Sequence, residues 1–237
     1  MNKKEIYRSK NQILNDAYDR IAAEIHIKKQ QKGYKTFLVT GCESGVGSTT
    51  VVISLATSMA LAGWKTVLVD VDMRKRESDK RLNEDVSKGL SDFLRSEAEY
   101  KEIVTKTNYD SLDYISSGNH SQNTVSLLCS SRMIELLNEL KQNYDYIIID
   151  IPAMTSAIDA SVLATISDAV VMVAAQLKTA KRTLKSAVHQ LERVNANILG
   201  VVVNRVEEDE YRRVMKNYDY FRKRKYFKKR YAKKKKA

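Results

Sequence analysis

Residues Phe37 to Ala56, FLVTGCESGVGSTTVVISLA, join an apolar run, a glycine-containing turn and a helix start, the arrangement of a phosphate-binding loop. Gly45 and Gly47, flanking Val46, let the backbone come close to phosphate, and a helix opening at Thr49 and Thr50 adds amide donors and its dipole. Such a loop carries a lysine after the last glycine, reaching the β- and γ-phosphates, and then a hydroxyl for Mg²⁺. Here the order is Gly47, Ser48, Thr49, Thr50: the hydroxyl is present and the cation is absent. Two acidic segments follow. VLVDVD, Val67 to Asp72, sets Asp70 and Asp72 at the end of an apolar run, where a carboxylate pair can hold Mg²⁺ or its waters and accept a proton from an incoming hydroxyl. YIIIDIP, Tyr146 to Pro152, sets Asp150 where it can bond metal-bound water or the Thr49 hydroxyl. Either acidic segment alone would merely end a strand. The ordered set favours a nucleotide site.

The elements that must position these groups are legible as periodicity. Segments rich in β-branched residues predict strands at Phe37 to Val39, Thr66 to Val71, Leu112 to Ile115, Tyr146 to Ile151, Ala169 to Ala175 and Ile198 to Val203. Helical spacing marks Val51 to Ala62, Ser131 to Gln142 and Lys181 to Val194. Strands and helices alternate, which predicts an α/β fold with a mostly parallel sheet covered by helices on both faces. Ligands bind at the carboxyl ends of such strands. Ile6, Ile13, Leu14, Ala17, Ile21 and Ile25 predict an amphipathic helix before the first strand. The expected organisation is an N-terminal helical segment (1–35), a nucleotide-binding domain (36–206) and a basic, tyrosine-rich tail (207–237), expected to be flexible.

Charge sharpens that division. The chain carries a net charge of +12, yet its last 27 residues hold 14 Lys or Arg against the single acid Asp219, so residues 1–210 are nearly neutral at −1. A basic DNA-binding face on the domain is therefore not expected, whereas the tail could meet phosphates, anionic lipid or acidic protein. Cys42 and Cys129 make no disulfide framework, and no charged-then-apolar leader opens the chain. No apolar run approaches the roughly 20 residues that cross a bilayer. The expected location is the cytoplasm. His26, His120 and His189 lack metal-ligand spacing and are assigned no role.

The set of motifs resembles the bacterial tyrosine kinases of the capsule and exopolysaccharide type, in the variant whose cytoplasmic kinase is separate from its membrane-spanning activator. These share the P-loop ATPase fold of septum-site and partition ATPases. TGCESGVGSTT resembles the Walker A loop, VLVDVDMRK the second Walker A′ motif and YDYIIIDIPA Walker B; GLSDFL, LDYISSGN, SSRMIELL and GVVVNRV also match. The resemblance implies that Gly45, Val46, Gly47 and Ser48 cradle the phosphates of ATP with Thr50 beside them, and that Thr49, Asp70 and Asp150 serve Mg²⁺. It implies further that Asp70, Asp72 and Asp150 act in catalysis, that Arg74 contacts phosphate and that Asn204 recognises adenine. Loop and surface readings of Asn204 and Arg74 stand beside these. The implied partner is a membrane-spanning activator of the polysaccharide co-polymerase type, which would hold the protein at the inner face of the cell membrane; self-association is a further expectation.

The departures are specific. Ser48 replaces the loop lysine, and loss of one such electrostatic donor typically lowers rate by on the order of 10² to 10³. Arg74, Lys178, Lys181 or a partner's basic residue could fill the vacated space. Glu43 stands where partition ATPases carry their signature lysine. The family's N-terminal oligomerisation pattern appears as Asp16, Asp19 and Ala22, with Arg20 shifted by one, so a ring built through it is not expected. Five of the 13 tyrosines, Tyr211, Tyr218, Tyr220, Tyr226 and Tyr231, lie in the basic tail as candidate phosphoacceptors. Three readings remain: an autokinase controlling polysaccharide synthesis, a nucleotide-binding pseudokinase adaptor, and a partition- or septum-type ATPase with a membrane- or DNA-binding tail. Tail phosphorylation, ATP binding without transfer, and salt-sensitive binding by the tail would separate them.

Overall fold

Every predicted strand forms in the computed structural model, which describes residues 3–74, 88–155 and 158–216. The strands are β1 (Thr36–Gly41), β2 (Thr66–Asp70), β3 (Val104–Lys106), β4 (Leu112–Ile115), β5 (Tyr146–Ile151), β6 (Ala169–Ala175) and β7 (Ile198–Asn204). They form one sheet in the order β3-β4-β2-β5-β1-β6-β7. All neighbours pair in parallel except β3, which is antiparallel to β4. Every residue of β1, β5 and β6 is buried, as expected of central strands covered on both faces. The pleat divides their side chains between two cores. Leu38 joins Met133, Leu136 and Leu163 on one face, while Phe37 and Val39 join Val51, Leu55 and Met59 on the other.

The helices are α1 (Gln12–Lys32), α2 (Ser48–Leu61), α3 (Leu90–Leu94), α4 (Tyr100–Ile103), α5 (Thr124–Leu128), α6 (Ser131–Asn143), α7 (Asp159–Ala164), α8 (Lys181–Glu192) and α9 (Glu208–Lys216). Helix α2 is apolar along most of its length because it lies between the sheet and α1. Helix α6 keeps one apolar stripe, Met133, Leu136, Leu137 and Leu140, and solvates the rest.

The amino-terminal segment differs from expectation at its start. Ile6 precedes the helix: its amide donates to Asn108 Oδ1 at 2.8 Å, and its side chain is buried. Asn11 then caps α1 by accepting from the amides of Ile13 and Leu14, and Gly33, at φ 74°, ends it in the left-handed conformation. The inner stripe is Tyr18, Ala22 and Ile25, spaced by four and three, whereas Leu14 is exposed. Near the end of α1 the His26 ring stacks on Trp64 at 4.2 Å and shares a hydrogen bond with the Tyr146 hydroxyl, while Lys29 Nζ lies 4.4 Å from the Tyr146 ring centre. His26 therefore has a packing role that its spacing did not reveal.

The chain divides into a unit Met1–Asn204, which holds the sheet and α1, and a unit Arg205–Ala237, of which α9 is described. Helix α9 opens with Glu208, Asp209 and Glu210, favourable charges at a helix amino terminus. The expected tail tyrosines Tyr218, Tyr220, Tyr226 and Tyr231 lie outside the described residues, whereas Tyr211 is half-buried on α9.

Candidate nucleotide site

The topology brings the sequence-predicted groups to one edge of the sheet. Because β5 lies between β1 and β2, the carboxyl ends of all three are adjacent. Asp70 and Asp150 are register partners on β2 and β5, and Asp150 is also opposite Val39 of β1. Asp70 Oδ1 accepts the Asp72 amide at 2.9 Å, which folds the second acid back toward the first. The Val71 amide donates to the Asp150 carbonyl at 2.9 Å and carries the pairing past the strand end. Asp72 and Asp150 are only 8% and 7% exposed.

The loop after β1 is held by its backbone. Cys42 donates its amide to the Val173 carbonyl at 2.8 Å. Its buried thiol is pushed up to about 11, first by desolvation and then by the Glu43 charge. Gly45 and Gly47 take φ of 73° and 89°, conformations that other residues adopt only with strain. Gly47 is the N-cap of α2, no side chain caps that helix, and its first i to i−4 bond runs from Val51 to Gly47. The amides of Ser48, Thr49 and Thr50 thus precede the helical ladder at the positive end of the dipole.

These features fit a Mg²⁺-bound nucleotide. The glycines keep the loop backbone bare and let neighbours close on it: a Cβ at Gly47 would lie 2.5 Å from Asn204 Nδ2, and one at Gly45 would lie 2.9 Å from Lys178 Nζ. Hard oxygen donors suit Mg²⁺, which takes one or two carboxylates and otherwise phosphate and water. Asp70, Asp150 and the Thr49 hydroxyl are the groups that would hold it.

Three outer residues have definite places. Asn204, at the end of β7, donates from Nδ2 to the Val46 carbonyl at 2.9 Å, so it braces the loop. Arg74 donates to Thr124 Oγ1 at 2.7 Å and to Asp159 Oδ1 at 2.9 Å; that Asp159 side chain is 2% exposed. Lys178 Nζ donates to the Ser44 carbonyl at 2.8 Å. Sequence reading missed Thr124 and Asp159; the usable signal was an acid among the small and apolar residues of DASVLA. It also missed Thr179, whose hydroxyl accepts the Ala175 amide at 3.0 Å and shapes the turn that carries Lys178.

Residues 34–205 match the AAA domain family. The chain is 32% identical over 212 residues to the tyrosine-protein kinase CpsD of Streptococcus pneumoniae serotype 4, covering 86% of this chain and 90% of CpsD. It belongs to the bacterial tyrosine-kinase family of capsule and exopolysaccharide systems. Within this kinase family it is also 31% identical to the putative tyrosine-protein kinase EpsB of Ralstonia nicotianae over 77% of its own length, but it spans only 24% of that relative. The crystal structure of the chimerical protein CapA2B2 aligns with a TM-score of 0.77 at 27% identity, over 86% of this chain and 94% of the chimera. The cell division protein MinD of Aquifex aeolicus aligns at 0.61 and 22% identity, over 76% of this chain and 72% of MinD, a likeness of fold alone. The fold is that of an α/β P-loop NTPase. Ser48 is thus a substitution at the loop-lysine position of this fold.

Proposed function

We propose that the chain is an ATP- and Mg²⁺-binding protein-tyrosine kinase that phosphorylates its own or a neighbouring copy's tail tyrosines in the control of capsule or exopolysaccharide synthesis. The observation that carries this reading is the register pair Asp70 and Asp150 beside the uncapped start of α2. The loop amides orient the phosphates, and the helix dipole favours their charge. Asp70, Asp150 and the Thr49 hydroxyl would hold Mg²⁺, which when bound would supply positive charge against the charge that develops during transfer. Asp70 or Asp72 accepts the proton of the tyrosine hydroxyl as that oxygen attacks the γ-phosphorus of ATP in line, and the bond from that phosphorus to the bridging oxygen breaks to release ADP. The acceptors are Tyr211, Tyr218, Tyr220, Tyr226 and Tyr231, and a membrane-spanning activator holds the protein at the membrane.

The test is mass spectrometry of the full chain expressed with the membrane-spanning protein of its own polysaccharide system. Phosphate on the tail tyrosines of wild type, absent from Asp70→Ala, is expected; tyrosines unmodified in both would sink the kinase reading. Ser48 favours one second reading, an adaptor that binds nucleotide without transfer. It requires stabilisation by Mg·ATP with no phosphotyrosine under any activator.

A further inference from the structure

We propose that Lys178, carried on the turn between β6 and α8, supplies to the phosphates of bound nucleotide the positive charge that Ser48 withdraws from the loop. The proposal rests on the nucleotide-site reading above. Four carboxylates, Glu43, Asp70, Asp72 and Asp150, belong to this loop and the adjoining strand ends, and a triphosphate adds more negative charge. A cation is needed there. Of the candidates within the chain, Arg74 is committed: removing its guanidinium would leave the Asp159 carboxylate buried without its ion-pair partner. Lys181, which opens α8, is exposed, as is Lys178.

Lys178 alone among the three has a hydrogen bond to the loop. Its ammonium donates to the Ser44 carbonyl, a neutral acceptor, and has two further protons to give. Among the described residues no carboxylate lies within ion-pair distance of it. The nitrogen lies 2.9 Å from where a Cβ on Gly45 would stand, so the glycine gives it room over the backbone that would meet phosphate.

Its placement is built into the fold. Strand β6 pairs with β1 through Gly41 and Val173, so the turn after β6 emerges beside the loop after β1. Leu177 takes φ 59° and is 93% exposed, an unfavourable conformation for a leucine that reverses the chain before Lys178. The Lys178 and Thr179 amides both donate to the Ala175 carbonyl, the Thr179 hydroxyl accepts the Ala175 amide, and the Gln176 amide donates to Asn204. Asn204 in turn holds Val46. Turn and loop are therefore braced to each other at two points.

The experiment is calorimetric titration of the full chain with Mg·ATP. Lys178→Ala and Lys178→Gln are expected to weaken binding by about tenfold or more, as for a lost charge-assisted contact, and Lys178→Arg by less than about threefold. Ser48→Lys should raise affinity more in Lys178→Ala than in wild type and restore what Lys178→Ala loses. Unchanged melting without nucleotide checks folding. Equal affinity of wild type, Lys178→Ala and Lys178→Gln overturns the proposal, as does an equal Ser48→Lys gain in both backgrounds, because independent charges add. Wild type that fails to bind Mg·ATP overturns the nucleotide-site reading itself, a distinct result.

Discussion

A residue's chemistry here is set by what backbone surrounds it. Gly47 combines a left-handed conformation with an Asn204 amide 2.5 Å from the position of any Cβ. Gly47→Ala is expected to displace Asn204 from Val46, cost about 1 kcal/mol or more in stability and abolish stabilisation by Mg·ATP, read as a thermal shift. The two cysteines differ for the same reason. Cys42 is buried with its thiol raised to about 11, whereas Cys129 is exposed. At pH 8 the Cys42 thiolate is scarce, on the order of one part in a thousand, so a thiol reagent should modify Cys129 quickly and Cys42 only on unfolding. Mass mapping of the labelled chain checks this; rapid loss of the Cys42 thiol at pH 8 would show the loop to be open.

Elements are joined by a few polar contacts that carry more than their share. Asp168, just before β6, accepts the amides of Lys35 and Thr36 at the start of β1 and pairs with Lys141 of α6 at 2.9 Å. Burial pushes its carboxyl up, but those two amides and the ammonium outweigh it and hold it below the usual carboxylate range. A depressed folded-state value means that this stabilisation is complete above the unfolded value, about 4, and fades as pH falls through the lower folded value. Asp168→Ala should therefore lose about 2 kcal/mol at neutral pH, and the deficit should shrink below about pH 4, measured by denaturant titration. Ala22, at 2% exposure on the inner stripe of α1, makes a different point. Ala22→Arg is expected to cost about 2 kcal/mol or more, measured by denaturant titration, because the guanidinium would enter the packed face of α1. The long strands were legible from their β-branched runs. Three-residue β3, VTK, has no alternation to read, and α3 and α5 are too short to show a period. Asn11 was a visible cap signal that would have placed the helix start correctly and excluded Ile6 from it.

For the molecule as a whole, charge is segregated. The last 27 residues hold a balance of +13 and the remainder is nearly neutral. Each phosphotyrosine would remove about 1.5 to 2 charges, so tail modification should act as an electrostatic switch. Vesicles containing phosphatidylserine should bind the unmodified full chain at low salt and release it on tyrosine phosphorylation; retention of the phosphorylated form at equal strength would refute the switch. That Gly45, Gly47, Asp70, Asp72 and Asp150 gather at one edge of the sheet was legible because each ends or follows a strand. The link from Lys178 to Ser44 was not, since residues 134 positions apart become neighbours only once β6 is known to lie beside β1. The contact of His26 with Trp64 has a consequence for observing the protein at work. Trp64 is the chain's only tryptophan, and its indole lies face to face with an imidazole from α1. Its emission is therefore an intrinsic optical reporter of whether α1 stays docked, available during nucleotide titration or assembly without attaching a dye.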